Sequence, residues 1–100
     1  MTRTEVLAWL DTRRPAPPGT LRERIDRAVA GTTPHSPLPV YLAELGRGLL
    51  ERVAARPRGG RELALDLLAA DAFVTYAFEA QAEEAVGGIA ALAAGGGVAR

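Results

Sequence analysis

Residues 61–86, RELALDLLAADAFVTYAFEAQAEEAV, decide the fold. The run holds neither Gly nor Pro and is dense in Ala, Leu and Glu, the residues that lose least on entering a helix. It predicts one long helix of about seven turns at 3.6 residues each. Leu63, Leu65, Leu67, Leu68, Phe73, Val74, Tyr76 and Phe78 surround most of its circumference, the pattern of a helix buried between neighbours. Gly87 and Gly88 are expected to break or weaken it. Ile89–Ala94 then suits a short fifth helix, and 95–100 a flexible tail.

Upstream, helical periodicity and helix punctuation account for nearly everything. Thr2 with Glu5 fits a capping box, and Val6, Leu7 and Leu10 mark the apolar stripe of a short first helix with Trp9 beside it. That helix must stop near Arg14, because Pro15, Pro17, Pro18 and Gly19 follow. Thr20 and Glu23 suggest a second capping box, with Leu21, Ile25, Ala28 and Val29 on one face and Gly31 at the C-terminal cap. The opposite face pairs Arg22 with Asp26 and Glu23 with Arg27 at i, i+4. Ser36 is the expected N-cap of a third helix with Pro37 at its first position. Leu38, Leu42, Leu45, Leu49 and Val53 run along one side of it, widened by Tyr41, Leu50 and Ala54, and it ends before Pro57. Gly46 and Gly48 inside it mark either a close backbone approach or a tolerated composition bias, and the bias is the preferred reading. The prediction is an all-α small four-helix bundle packed around the helix 61–86, a single domain over 1–94.

The 100 residues contain 12 basic and 12 acidic side chains and no cysteine, so disulfide frameworks, thiolate nucleophiles and cysteine zinc sites are excluded. Neutrality hides an asymmetry: residues 1–61 hold eleven arginines against six acids, and 62–100 hold six acids against Arg100 alone. A +5 front half is thus joined to a −5 back half. Every basic residue is arginine and twenty residues are alanine, as the codon bias of a GC-rich bacterial genome produces. No signal-peptide pattern is visible near the first residues. The apolar run Leu63 to Ala82 carries Asp66, Asp71 and Glu79, each costly in a bilayer. The expectation is a cytoplasmic protein with no membrane partner.

Motifs of chemistry are sparse. Asp71, Thr75, Glu79 and Glu83 recur at i, i+4, i+8 and i+12 on the long helix, with Tyr76 close by. Such a polar stripe either faces water, pairs with front-half arginines (Arg47, Arg52, Arg22 or Arg24), or lines a pocket. A pocket would use Asp71, Thr75, Tyr76 and Glu79 for a small ligand, or Asp71, Glu79 and Glu44 for a hard ion such as Mg²⁺. The Glu-x-x-His pairs of a diiron bundle are missing, and the lone His35 reads as a loop residue. Ser36 has no nucleophile elbow and Thr75 no apparent base, so no catalytic residue or cofactor is assigned. The long connection at 31–36 and the Leu-rich third helix argue against a helix-turn-helix and a nucleic-acid partner. The leading functional expectation is a non-enzymatic interaction or scaffold module with a protein partner or a second copy. Small residues alternate with large ones at heptad positions 63, 70, 77 and 67, 74, 81. Trp9, Phe73 and Phe78 are its candidate anchors.

Overall fold

The computed structural model describes residues 1–56 and 58–96, and every regular element among them is helical. In chain order these are α1 (Arg3–Leu10), α2 (Gly19–Ala30), α3 (Leu38–Ala54) and α4 (Arg61–Ala91), whose end winds into a π-helical turn, Leu92–Gly96. The predicted four-helix bundle forms. Val6 and Leu10 of α1, Ile25 and Val29 of α2, and Leu38, Tyr41, Leu42, Leu45 and Leu49 of α3 are buried against Ala69, Ala70, Phe73, Tyr76 and Ala80 of α4. Fully buried side chains such as Ile25, Leu42 and Phe73 each stabilise the fold by about 1.5–3 kcal/mol.

Local signals set the helix ends with three corrections. The Thr2–Glu5 capping box is present in both directions, at 3.1 and 2.8 Å. Glu5 is held below the ordinary carboxylate pKa, chiefly by the hydrogen bond it accepts from the Thr2 backbone N–H. However, α1 ends at Leu10, short of Arg14, and Thr12 and Arg13 continue as turn hydrogen bonds only. In α2 the chain enters from Pro18, so helical geometry begins at Gly19 and the Thr20–Glu23 box does not form. Gly31 does stand at its C-terminal cap. Likewise α3 starts one residue later than expected, with Pro37 at the cap and Ser36 Oγ donating to Glu44 Oε1 at 3.2 Å.

Gly46 resolves in favour of close approach. A Cβ built there would meet the Ala70 carbonyl oxygen at 3.2 Å, Val74 Cγ2 at 3.2 Å and Phe73 Cβ at 3.3 Å, so α3 and α4 cross with almost no space between them. Gly48 has nothing within 4 Å and is a tolerated glycine, as the bias reading had it for both.

Two expectations for α4 are corrected. It runs past 86 through Gly87 and Gly88 to Ala91, so no separate helix forms at Ile89–Ala94. The glycines cost about 1 kcal/mol each but do not end a helix unless they turn left-handed, and no described glycine has positive φ. Nor is α4 enclosed all round: Leu67, Leu68, Val74 and Phe78 are exposed, because α2 and α3 cover only one side. Beyond Ala80 every residue from 81 to 95 is exposed. The molecule is consequently elongated, 60 × 24 × 21 Å, with the end of α4 overhanging the bundle. Residues 97–100, most of the expected tail, lie outside the described residues.

Candidate functional site

The polar stripe of α4 divides. Asp71 and Thr75 are exposed and have no side-chain hydrogen bond among the described residues. Glu79 and Glu83, one turn further along, are both held by Arg13, whose Nη1 and Nη2 donate to Glu79 Oε1 and Glu83 Oε2 at 2.9 Å each. Trp9 Nε1 donates to the other oxygen of Glu83 at 2.8 Å. The guanidinium of Arg13 lies 3.6 Å from the Trp9 ring centroid, a cation–π contact, and its own buried Nε has no hydrogen-bond partner among the described residues. Tyr76 meets the same indole edge-on at 6.1 Å.

Titration behaviour follows from these contacts. Glu83 is lowered from the usual carboxylate range, first by the Trp9 hydrogen bond and then by Arg13. Burial pulls the Arg13 guanidinium down, but its hydrogen bonds to Glu79 and Glu83 outweigh that and leave it raised. Burial pushes the Tyr76 hydroxyl up. The cluster is a clamp between the exit of α1 and α4. Front-half arginine does pair with back-half acid, as the charge split suggested, but through Arg13. The signal was available: Trp9 and Arg13 are at i, i+4, immediately before a proline-rich break.

Of the residues expected to line a pocket, Tyr76 is buried, Glu79 is occupied by Arg13, and Asp71 and Thr75 face outward. Glu44 is on α3, bonded to Ser36. Asp71, Glu79 and Glu44 are therefore not assembled into a metal site, and among the described residues no group of three or more His, Cys, Asp or Glu could hold an ion. His35 is exposed in the α2–α3 loop, its Nδ1 3.1 Å from the Thr33 carbonyl oxygen.

Asp66 supplies the second cross-half pair. It accepts from Arg24 Nε at 2.5 Å, and both side chains are about nine-tenths buried. A lone acid inside the run LALDLLAA is the sequence trace of this pair, since a carboxylate among buried apolar positions needs a partner. Around it, Arg24 and Arg27 of α2 and Arg52 and Arg56 near the end of α3 line a cleft of about 320 Å³ together with Glu62, Leu65 and Asp66.

The third surface is apolar. Pro39, Val40, Ala43, Val74, Ala77 and Phe78 line most of a groove of about 420 Å³ between α3 and α4, rimmed by Glu44, Arg47 and Gln81. Phe78 is 73% exposed in it. Leu67, Val74, Phe78, Ala85, Ile89 and Leu92 fall within a sector of about 60° at 100° per residue, so the groove continues onto the overhang. Of the expected anchors only Phe78 is fully presented: Phe73 is in the core with no exposure, a correction, and Trp9 is half-buried in the clamp. Sequence reasoning missed Val40, Ile89 and Leu92, because apolar residues all round an Ala-rich helix do not say which face its neighbours cover.

No described helix is long and apolar enough to cross a membrane. Compared with protein-family models, curated proteins and solved structures, the chain matches none of them, so its function is to be read from these three surfaces.

Proposed function

We propose that the chain is a small helical interaction module that self-associates, two copies pairing antiparallel along the outer face of α4. The observation that carries this is the overhang. Residues 81–95 are exposed throughout, include Gly87 and Gly88, and present Val86, Ile89 and Leu92 at 64–66% exposure. A helical segment of this length without a packed face is marginal in water, so burial of its apolar side is what would hold it. The same chain leaves uncovered both a groove and a helix able to fill it.

Pairing about a two-fold axis near residues 81–82 sets Phe78 opposite Ala85 of the second copy and Val74 opposite Ile89, large against small and branched against branched. Glu84 is the charge of the overhang left outside the clamp that holds Glu83, and Arg47 is the basic residue at the rim of the groove. Their signs are complementary across such a pair and fix its direction. The interface is isologous, so each contact occurs twice and the assembly closes at two chains.

Sedimentation equilibrium over a wide range of protein concentration tests this reading. The wild-type chain is expected to pass from monomer to dimer. Phe78→Asp and Ile89→Asp should each weaken the dimer by about tenfold or more, leaving the melting temperature of the dilute monomer unchanged. A wild-type chain that stays monomeric throughout, or a dimer indifferent to both substitutions, overturns it.

A further inference from the structure

Three of the five arginines whose side chains have no protein partner among the described residues lie together. Arg13, Arg22, Arg24 and Arg47 are paired with carboxylates, and Arg3 and Arg14 donate to backbone carbonyls. The side chains of Arg27, Arg52, Arg56, Arg58 and Arg61 make no ion pair or hydrogen bond among the described residues, and the first three of these line the cleft over Asp66. Arg24, 8% exposed, forms its floor. Asp66 engages only the Nε of Arg24, which leaves the two Nη groups without a protein acceptor among the described residues. Four guanidinium groups thus face two carboxylates, Asp66 and Glu62, a net charge of +2 in one concavity.

A second cleft, of about 250 Å³, also uses Arg24, Arg27 and Arg52, so the basic trough extends between α2 and α3. Glu62 in the lining places the first turn of α4 at the same spot, and that helix has no side-chain cap on its free N–H groups. Its positive end adds to the field of the arginines. Like charges gathered in a concave, partly desolvated space repel one another unless an anion enters.

We propose that this cleft is a binding site for a small oxyanion carrying two or more linked phosphate groups, of the diphosphate or triphosphate type. Planar guanidinium forks match phosphoryl oxygens two at a time, which lysines would not do. The size of the space suits a small ligand. Arg24 is fixed in advance by Asp66, and Arg27, Arg52 and Arg56 would close from the rim. This site is separate from the outer face of α4 and does not depend on self-association.

Calorimetric titration with inorganic pyrophosphate and with a nucleoside diphosphate, at constant ionic strength, tests the site. Both are expected to bind at one site per chain and to raise the melting temperature, because a ligand of the native state stabilises it. Equal affinity for the two assigns recognition to the phosphates, and tighter binding of the nucleotide adds a base contact to the same site. Arg27→Gln and Arg52→Gln should each weaken binding by about tenfold, whereas Arg14→Gln, the same charge change outside the cleft, should leave it intact. Binding no stronger than that of chloride at equal ionic strength overturns the proposal. So does an equal loss in Arg14→Gln, or tighter binding of a single-stranded oligonucleotide that pyrophosphate does not displace.

Discussion

Residues 61–80 and 81–91 belong to one helix and share an Ala-rich composition, yet the first stretch places six residues in the protein interior and the second none. Helix propensity is lower in the second stretch, which carries Gly87 and Gly88, yet α4 continues through both. Burial does not follow from propensity. It depends on whether α2 and α3 reach far enough to cover the apolar side, and α3 is seventeen residues long against thirty-one for α4. The surplus turns remain bare, with Ile89 and Leu92 on the same line as Val74 and Phe78. One helix is therefore both the spine of a bundle and, past Ala80, an uncovered surface.

The contrast is broken most directly at two phenylalanines five residues apart. Phe73→Ala removes a side chain with no exposure and should cost about 3–5 kcal/mol in denaturant unfolding. Phe78→Ala, measured on dilute monomer, should change stability by under about 0.5 kcal/mol while weakening self-association. Equal costs would mean that Phe78 is packed in the monomer.

Next in size is the buried pair. Asp66→Ala leaves the Arg24 guanidinium buried without its counter-charge and should destabilise the chain by about 3 kcal/mol. Asp71→Ala, one of the exposed acids of the same helix, should be nearly neutral in the same unfolding assay.

Glycines sharpen the comparison further. Gly46→Ala forces a methyl against the Ala70 carbonyl and the Phe73 Cβ, positions tied to the α4 backbone, and should lower stability by about 1–2 kcal/mol despite better helix propensity. Gly88→Ala meets open space and should raise helicity by circular dichroism, with a gain of about 0.5–1 kcal/mol. A stabilising Gly46→Ala would show that the α3–α4 crossing can relax.

The smallest effect is a pH dependence at the clamp. Because the folded pKa of Glu83 is depressed by Trp9 and Arg13, its contribution is complete above the unfolded carboxylate value of about 4.3 and is lost as pH falls from there through the lower folded value. Glu83 is half exposed, so solvent screening keeps this to a few tenths of a kcal/mol, roughly. The fall in melting temperature between neutral and acid pH should be slightly smaller in Glu83→Gln than in the wild type.

Helix number and most helix ends were legible because they are written locally: the Thr2–Glu5 box, the prolines from Pro15 to Pro18, Gly31, and the stripe Leu38, Leu42, Leu45, Leu49. The Thr20 and Ser36 caps misled because a proline took the cap position in each case: Pro18 starts α2 two residues earlier than a Thr20 cap would, and Pro37 starts α3 one residue later than a Ser36 cap would. The opposite charges of the two halves were legible too, but not their pairing. Which arginine meets Glu79 is set by where the exit of α1 crosses α4, a tertiary fact with no local mark beyond the Trp9–Arg13 spacing. The clustering of Arg27, Arg52 and Arg56 likewise needed α2 and α3 to be placed side by side.

Amide hydrogen exchange of residues 81–91, followed at low and high protein concentration, tests most directly whether the overhang is an association surface. Self-association predicts fast exchange in dilute protein and protection that grows with concentration, and Phe78→Asp should abolish that growth while residues 66–80 stay protected. Fast exchange of 81–91 at every concentration, or protection independent of concentration, would contradict it.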